Sequence, residues 1–334
     1  MKYFALTSGH GIENLSVLNC DVPKPGLGQV LVKIKAASLN YRDQLVIAGK
    51  YPAKPLPLIP FSDGSGEVIE VGESVTRWKA GDRVAGIFFQ KWQSGRLDEI
   101  KANSALGGAI DGVLAEYVVF EESGLVAVPE HLSYEEAATL PCAAVTAWNA
   151  LTSGSITCGQ SVLTLGTGGV SMFAVQLAKA AGTRVIATSS SDAKLDRLKR
   201  IGADELINYK ATPDWENRVL ELTGGSGVDI VVEVGGVGTF AKSLKAVRFG
   251  GHMSLVGVLT GSAGEANPTG AIRKNVRMQG IFVGSKEMFE SMSRVLALHK
   301  IRPVVDRVFG FDSVKEALGH MKSGNHVGKV VVGF

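Results

Sequence analysis

Disulfide-forming cysteine is scarce in this sequence. Only Cys20, Cys142 and Cys158 occur among 334 residues, too few and too widely spaced for a disulfide framework. This usage is typical of a reducing compartment, so we expect a cytoplasmic protein. The N-terminus also lacks the charged, apolar and small-residue order of a secretion signal. No run of ~18 uninterrupted apolar residues is present, so the sequence predicts no membrane-spanning helix.

A marked excess of either charge is absent as well. The 35 lysines and arginines nearly balance the 32 aspartates and glutamates, which leaves a net charge of +3. The basic residues are scattered, so the chain offers no basic field for nucleic acid. We therefore expect a small-molecule substrate, and neither nucleic acid nor a membrane as partner. With 45% hydrophobic and 20% charged residues, the composition is typical of a globular protein, and the length predicts about two domains.

Glycine, by contrast, is abundant, with 41 residues in the chain. In the first third, glycine and proline punctuate short stretches that alternate apolar and polar residues, as half-buried strands do. Such stretches are residues 29–36, 66–75 and 116–120. They predict a small irregular β-barrel. Residues 89–112 carry weak periodicity and mixed polarity, and we predict a long surface lobe there.

After about residue 121 the pattern changes to alternating strands and helices. Strands are predicted at 161–165, 184–188, 229–234 and 253–258, and helices at 170–181, around 195–201, from 212 and at 239–247. Strict alternation of this kind predicts a doubly wound parallel sheet, so the expected fold class is α/β. A strand at 276–283, a helix at 286–299 and capping boxes at Ser133 and Ser313 complete the prediction.

The strongest local motif is Gly166-Thr167-Gly168-Gly169-Val170-Ser171, which follows a predicted strand and opens a predicted helix. This context is that of a dinucleotide-binding loop. Gly166 allows the tight turn, and Gly168 lets the backbone approach a pyrophosphate, which the helix N-terminus attracts. Ser171 replaces the usual third glycine. An ordinary turn in a glycine-rich chain is the alternative, but the surrounding β-α units favour nucleotide binding.

The end of the second predicted strand bears on which nicotinamide cofactor binds. NAD-binding proteins usually place a carboxylate there, but this strand ends in serines, including Ser189 and Ser190, and Asp192 lies beyond the end. Neutral hydroxyls tolerate a 2′-phosphate, and Lys194 adds a positive charge to pair with it. The sequence therefore favours NADPH over NADH. Lys194 as an ordinary surface residue remains the alternative.

Several further motifs, taken in order along the chain, resemble those of the medium-chain dehydrogenase/reductase superfamily. They are Asn40-Tyr41-Arg42-Asp43, Gly49-Lys50-Tyr51-Pro52, residues 64–72, Gly81-Asp82-Arg83-Val84, residues 141–148, the glycine loop and Val327-Gly328-Lys329-Val330. The resemblance covers essentially the whole chain. It implies a GroES-like β-barrel domain at 1–122 and 286–334, and a Rossmann dinucleotide-binding domain at 123–285. It also implies nicotinamide-dependent alcohol, aldehyde, quinone or enone chemistry.

The zinc-containing members of this superfamily differ from the present sequence at their metal ligands. Asn40 stands where they place a cysteine, Ser62-Asp63 stands where they place a His-Glu pair, and Cys142 matches the remaining cysteine. A catalytic zinc needs three good protein ligands, and this set supplies at most two. Residues 89–112 contain none of the four cysteines of the superfamily's structural zinc. We therefore expect no zinc, and Cys142 is interpreted as a buried thiol.

The sequence resembles more closely the zinc-free quinone oxidoreductase, or zeta-crystallin, branch. In that branch a lysine and a tyrosine flank the 2′-phosphate, which here implies Lys194 and Tyr209. The resemblance also implies that the backbone of Phe282 and Val283 meets the nicotinamide carboxamide, and Thr146 is a further cofactor-binding candidate. Tyr209 as an ordinary strand-end aromatic, and Phe282 and Val283 as core residues, are the structural alternatives.

Without a metal, hydride transfer needs hydrogen-bond donors that stabilise the oxyanion formed on the acceptor. Near the cleft expected between the domains, the candidates are Asn40, Tyr41, Arg42 and Tyr51. Tyr51 matches the tyrosine proposed as proton donor in related enoyl reductases. Arg42 replaces the proton-relay hydroxyl of zinc members, and an ion pair with Asp43 is its alternative role.

These observations lead to an NADPH-dependent, zinc-free oxidoreductase that delivers hydride to a quinone, enone or carbonyl substrate. The sequence does not separate carbon–carbon from carbon–oxygen reduction. A zinc-free alcohol dehydrogenase and a crystallin-like protein that binds NADPH without catalysis are the alternatives. The predicted edge strand at 276–283 is apolar, and exposed edges invite pairing. Because relatives join two subunits at this edge, we expect a homodimer.

Overall fold

The computed structural model of the protein describes residues 1–261, 263–264 and 267–334. The chain folds into two compact units, Met1–Val145 together with Gly284–Phe334, and Thr146–Val283. The boundaries expected from the sequence follow residues 122 and 285. The first one lies later in the structure because the strand Leu125–Ala127 pairs with a strand of the barrel. None of the helices within the described residues is long and apolar enough to cross a membrane.

The secondary structure follows the expected division between a β-rich unit and an alternating unit. The strands are β1 (Lys2–Leu6), β2 (Leu15–Asn19), β3 (Gln29–Ser38), β4 (Asp63–Val71), β5 (Arg83–Gly86), β6 (Tyr117–Glu121), β7 (Leu125–Ala127), β8 (Ser161–Leu165), β9 (Arg184–Ser189), β10 (Glu205–Asn208), β11 (Val228–Glu233), β12 (Val247–Leu255), β13 (Arg277–Gly280), β14 (Val305–Gly310) and β15 (Lys329–Gly333). The helices are α1 (Tyr41–Ile47), α2 (Glu99–Ala102), α3 (Tyr134–Ala137), α4 (Val145–Ser153), α5 (Gly169–Ala180), α6 (Asp192–Arg200), α7 (Trp215–Leu222), α8 (Val237–Ala246), α9 (Thr269–Lys274), α10 (Lys286–His299) and α11 (Val314–Lys322).

The first unit is built around β3. Its apolar positions Val30, Val32 and Ile34 are buried in one core, as the alternating pattern predicts. β3 pairs antiparallel with β4, β6 and β15. Because β15 comes from the far end of the chain, its pairing with β3 closes the unit from both ends. The N–H of Leu39 donates to the carbonyl of Val330 at 3.0 Å, so the residues just after β3 lie beside the start of β15.

The second unit is a six-stranded sheet in the order β10-β9-β8-β11-β12-β13. All of its neighbouring strands run parallel, and helices connect them. This arrangement confirms the predicted doubly wound α/β sheet. The strand order reverses direction between β8 and β11, and open α/β sheets bind ligands at the carboxyl ends of the strands next to such a point. The glycine loop leaves β8 at that end.

Several element boundaries differ from those predicted. The third helix of the alternating unit begins at Trp215, not at Thr212, and β13 spans four residues, fewer than the predicted strand at 276–283. The capping box at Ser133 forms, since its hydroxyl accepts from Glu136 N–H and the Glu136 carboxylate accepts from Ser133 N–H. The side chain of Ser313 makes no cap hydrogen bond, so the second predicted box is wrong.

The surface lobe that the sequence predicts at 89–112 is present only in its middle, where residues 94–103 are exposed or half-buried. Phe89, Trp92 and Leu106 are buried, and the rings of Phe89 and Trp92 pack 5.8 Å apart. The weak periodicity arises because this segment has little regular structure beyond the four-residue helix α2. Its burial comes instead from aromatic side chains that turn inward.

Candidate active site

The glycine loop has the geometry that a dinucleotide requires. β8 ends at Leu165, Gly166 takes a positive φ of 75°, and Gly168 precedes the first residue of α5. A side-chain carbon added at Gly166 or Gly168 would meet no atom within 4 Å, so open space lies in front of the backbone there. The first-turn N–H groups of a helix lack intrahelical partners and attract phosphate. The loop therefore fits a pyrophosphate.

Ser171 explains how the loop functions without a third glycine. Its hydroxyl donates to the carbonyl of Leu165 at 2.6 Å, and the side chain is buried. The serine thus ties the first turn of α5 to the end of β8. A small residue with this bond keeps the helix and strand close, which is the role of the glycine it replaces.

The residues predicted to hold a 2′-phosphate meet at the carboxyl end of β9. Tyr209 donates its N–H to the carbonyl of Ser189 at 3.0 Å, which places the tyrosine directly beside the strand end. Lys194 lies in the first turn of α6, whereas Asp192 accepts a hydrogen bond from Asn208 Nδ2 at 2.8 Å. The structure therefore places the serines, Lys194 and Tyr209 at the same strand end, where Asn208 already binds the carboxylate of Asp192.

The predicted nicotinamide-binding segment contains a strained residue. Val283 is buried and has a positive φ of 55°, which is an unusual conformation for a β-branched side chain. Asn149 Nδ2 donates to the Val283 carbonyl at 2.8 Å, so this amide fixes the backbone there. The sequence analysis does not predict Asn149 as a site residue, although it directly follows the family-like motif at 141–148. Phe282 is exposed, so it is not the core residue of the structural alternative, and Thr146 is buried at the start of α4.

In the first unit, the motif that begins at Asn40 starts helix α1. The Asn40 N–H donates to the carboxylate of Asp43 at 2.8 Å, which satisfies a free group at the helix start. Burial raises the pKa of the Asp43 carboxyl to about 6, and the positive charge of Arg42 opposes the shift. Tyr41 is 44% exposed at the first helical position.

The side chain of Asn40 lies in a buried polar network. Lys329 Nζ donates to Asn40 Oδ1, and Asn40 Nδ2 donates to the hydroxyl of Ser62 at 3.3 Å. The Ser62 hydroxyl in turn donates to Asp63 Oδ1 at 2.7 Å. Asp63 Oδ2 accepts the backbone N–H of Cys142 at 3.1 Å and lies 4.0 Å from the Lys329 ammonium. The sequence analysis includes Lys329 only as part of a family motif and does not predict it as a site residue.

Arg42 connects this network to Tyr51. Its guanidinium carbon lies 5.5 Å from the centre of the Tyr51 ring and 4.8 Å from that of Phe88, while Nη1 donates to the carbonyl of Leu106 at 2.6 Å. Arg42 Nη1 is 3.7 Å from Asp43 Oδ1, so the alternative ion pair is present as well. Burial raises the pKa of the Tyr51 hydroxyl, with Arg42 opposing the shift.

The donor set at this site does not fit a zinc ion. The Asn40 oxygen faces an ammonium, Ser62 offers only a hydroxyl, and burial, together with the negative charge of Asp63, raises the pKa of the Cys142 thiol far above its usual value. A thiol must lose its proton to bind a metal, and the Lys329 ammonium, bonded to Asn40 and 4.0 Å from Asp63, repels a second cation at these oxygens. Within the described residues, no cluster of three histidines, cysteines or carboxylates has metal-binding geometry.

Comparisons with known proteins identify the family. The alcohol dehydrogenase GroES-like domain matches residues 26–130, and the zinc-binding dehydrogenase model matches residues 169–298. A zinc-type alcohol dehydrogenase-like protein of Schizosaccharomyces pombe is 44% identical, over 99% of both chains. The 2-methylene-furan-3-one reductase of Solanum lycopersicum is 34% identical over 99% of this chain and 79% of its own. A solved NAD-dependent alcohol dehydrogenase is 35% identical, with a TM-score of 0.92 over 100% of both chains.

The chain therefore belongs to the medium-chain dehydrogenase/reductase superfamily, as the resemblance predicts, and it is an oxidoreductase. The match to the GroES-like model also confirms the expected class of the first unit.

Proposed function

We propose that this protein is an NADPH-dependent, zinc-free reductase that delivers hydride to the conjugated or carbonyl carbon of a quinone, enone or other carbonyl compound. The observation that carries the proposal is the network of Lys329, Asn40, Ser62 and Asp63. It puts a hydrogen-bonded ammonium and amide where zinc members of the superfamily hold their metal, so the polarising groups belong to the protein itself.

The cofactor proposal rests on the carboxyl end of β9. A 2′-phosphate needs positive charge and hydrogen-bond donors, and Ser189, Ser190, Lys194 and Tyr209 supply both there. An NAD-type carboxylate would repel that phosphate, and Asp192 is instead engaged by Asn208. Bound NADPH supplies the hydride for the reaction.

The chain's own residues stabilise the charge that develops on the acceptor oxygen. Asn40 donates an N–H of its amide to that oxygen, and Tyr51 donates its O–H. Burial keeps the pKa of Tyr51 above its usual value, so the hydroxyl holds its proton at neutral pH until a strongly basic enolate or alkoxide takes it. Arg42 lies over the Tyr51 ring and offsets the negative charge that remains. One well-placed donor is worth about 3 kcal/mol of barrier.

A zinc-free alcohol dehydrogenase that uses NADH is the second candidate. The specific observation in its favour is the similarity over the full length to an NAD-dependent alcohol dehydrogenase. A protein that binds NADPH without turnover is the remaining alternative, because an intact glycine loop serves binding as well as catalysis.

One experiment separates these candidates. Purified protein is titrated with NADPH and NADH by fluorescence, and then assayed at 340 nm with panels of quinones, enones, aldehydes and alcohols, with zinc content measured on the same sample. We expect tighter NADPH binding, reduction of at least one carbonyl-containing panel member, and full activity without zinc. Binding without turnover would support the non-catalytic alternative, and activity that requires zinc would refute the proposal.

We also propose a homodimer that forms through β13. This strand is the edge of the six-stranded sheet, and all four of its residues are exposed. Such an edge presents unpaired backbone groups to another strand, and a second copy of the same edge provides a matching partner.

A further inference from the structure

We propose that Lys329 is a positioning residue that fixes the orientation of the Asn40 amide, so that Asn40 acts only as a hydrogen-bond donor toward the substrate oxygen. The inference rests on the proposed function for its chemical consequence. The orientation itself follows from contacts within the first unit.

The first constraint comes from the ammonium. An asparagine amide can be turned end for end with little change in shape, so its orientation is decided by its partners. A lysine ammonium has donors and no acceptor. Because Lys329 Nζ lies within hydrogen-bond distance of the Asn40 amide, the amide must present its oxygen to it. The nitrogen then points to the opposite side.

The second constraint comes from the other end of the network and is independent of the first. Burial raises the pKa of the Asp63 carboxyl, whereas the Lys329 ammonium and hydrogen bonds with Asn40, Ser62 and the Cys142 N–H favour its ionised form. In that form the carboxylate accepts hydrogen bonds and donates none. The single hydroxyl hydrogen of Ser62 is therefore used on Asp63 Oδ1 at 2.7 Å. Toward Asn40, Ser62 can only accept, so the amide nitrogen must face it. Both ends of the network thus demand the same orientation.

The fold explains why Lys329 reaches this position. It is the first residue of β15, which pairs with β3 so that Val331 lies opposite Ser38. Lys329 is 3% exposed, and its Nζ also donates to the carbonyl of Leu39 at 2.6 Å. A buried charge is costly unless it is paired and hydrogen-bonded. Leu39 and Asn40 accept two of its hydrogens, and the Asp63 carboxylate, 4.0 Å away, balances its charge.

This arrangement restricts what the site can bind. The amide nitrogen carries two N–H groups and faces Ser62 and Asp63, which both accept, so a ligand that reaches this end of the amide meets only donors. The ammonium also polarises the amide through its oxygen, and coupled hydrogen bonds of this kind strengthen each other. The site therefore selects an oxygen that accepts and does not donate, which is the carbonyl oxygen of a ketone, enone or quinone.

The orientation is tested directly by NMR of the side-chain amides, without any ligand. The Asn40 signal is assigned by its loss in Asn40→Asp. In Lys329→Met we expect the Asn40 amide signal to shift and its hydrogens to exchange faster with solvent, while Lys329→Arg restores the wild-type signal in part. The Asn149 amide, which donates to Val283, is an internal control that should not change.

The catalytic consequence is tested with a double-mutant cycle. We expect Lys329→Met and Asn40→Ala each to lower kcat by roughly 100-fold, with an unchanged Kd for NADPH, and the double variant to lose no more than either alone. Lys286→Met is the matched control for loss of a buried lysine, since Lys286 Nζ donates to Ser123 O outside this network. If Lys329→Met does not fold, it is replaced by the variant that combines Lys329→Met with Asp63→Asn, which removes one positive and one negative charge together.

Binding of 4-(dimethylamino)cinnamaldehyde with NADP⁺ provides a further measurement. Its absorption shifts to longer wavelength when its carbonyl oxygen accepts a hydrogen bond, and we expect that shift to be lost in both Asn40→Ala and Lys329→Met. An unchanged Asn40 signal in Lys329→Met, or losses in kcat that simply add in the double variant, would overturn the inference. If the wild-type protein reduces no acceptor, the proposed function fails, and the NMR measurement still decides the role of Lys329.

Discussion

Single residues at this site differ in how far their polar groups are already engaged. Asn40 is held at both ends of its amide, whereas the Tyr51 hydroxyl lies beside a guanidinium that is itself shared with a ring and a carbonyl. Lys194 and Tyr209 lie at the edge of the second unit. Substitutions at these positions therefore test the proposed roles separately, namely oxyanion stabilisation, proton donation and cofactor choice.

Replacing Tyr51 with phenylalanine removes a hydroxyl and keeps the ring beneath Arg42. We expect kcat to fall by about 100-fold, because one well-placed donor is lost, with little change in the Kd for NADPH. Steady-state kinetics with the best acceptor from the panel provide the measurement. Tyr117→Phe, in β6, is the control. Unchanged turnover in Tyr51→Phe would assign proton donation to another group.

Lys194→Ala tests the choice between cofactors. A charge-assisted bond to a phosphate contributes about 1.5–3 kcal/mol, so the Kd for NADPH should rise at least about tenfold while the Kd for NADH stays the same. Fluorescence titration with both cofactors measures this. Lys199→Ala alters an exposed lysine of the same helix and should change neither value. An equal loss for both cofactors would contradict a specific contact with the 2′-phosphate.

At the scale of elements, helix α1 contains an unusual acid in its first turn. Asp43 is fully buried, and burial raises its pKa to about 6 from 3.8. The folded protein therefore binds this proton more tightly than the unfolded chain does. The protonated carboxyl therefore contributes to the free energy of unfolding. This contribution is fully present below about pH 4 and is lost as the pH rises through 6.

Asp43→Asn isolates this effect, since the amide oxygen can still accept the Asn40 N–H. We expect the free energy of unfolding of the wild type, relative to the variant, to fall by up to about 3 kcal/mol between pH 4 and 6.5. Urea denaturation at several pH values measures both proteins. Curves that stay parallel across this range would show that burial of Asp43 does not govern its ionisation.

Elements also show what the sequence could predict. The sequence predicts correctly that the glycine loop and the serines lie at the ends of strands β8 and β9. It can do so because each lies within a few residues of the strand that positions it. The burial of Phe89 and Trp92 within the predicted lobe could not be predicted, since aromatic burial without regular structure leaves no periodic pattern. Lys329 was missed as a site residue because its role depends on the pairing of β15 with β3, which joins residues 289 positions apart.

For the whole molecule, the exposed edge of β13 predicts assembly. We expect light scattering to give twice the chain mass of 35.2 kDa, and Met278→Asp to shift the protein toward the monomer, because charge on an edge strand opposes pairing. Val308→Asp places the same charge on β14, in the other sheet, and should leave the mass unchanged. A monomer in the wild type at all concentrations would remove this proposal.

The position of Lys329 has a consequence for synthesis on the ribosome. The nascent chain exposes Asn40 early, but the lysine that orients it emerges only after the entire dinucleotide-binding unit has been made. Because domains generally fold as units during translation, that unit can fold and take up cofactor first, while the barrel still lacks its closing strand. The nucleotide-binding unit would then be complete before the network around Asn40 is assembled.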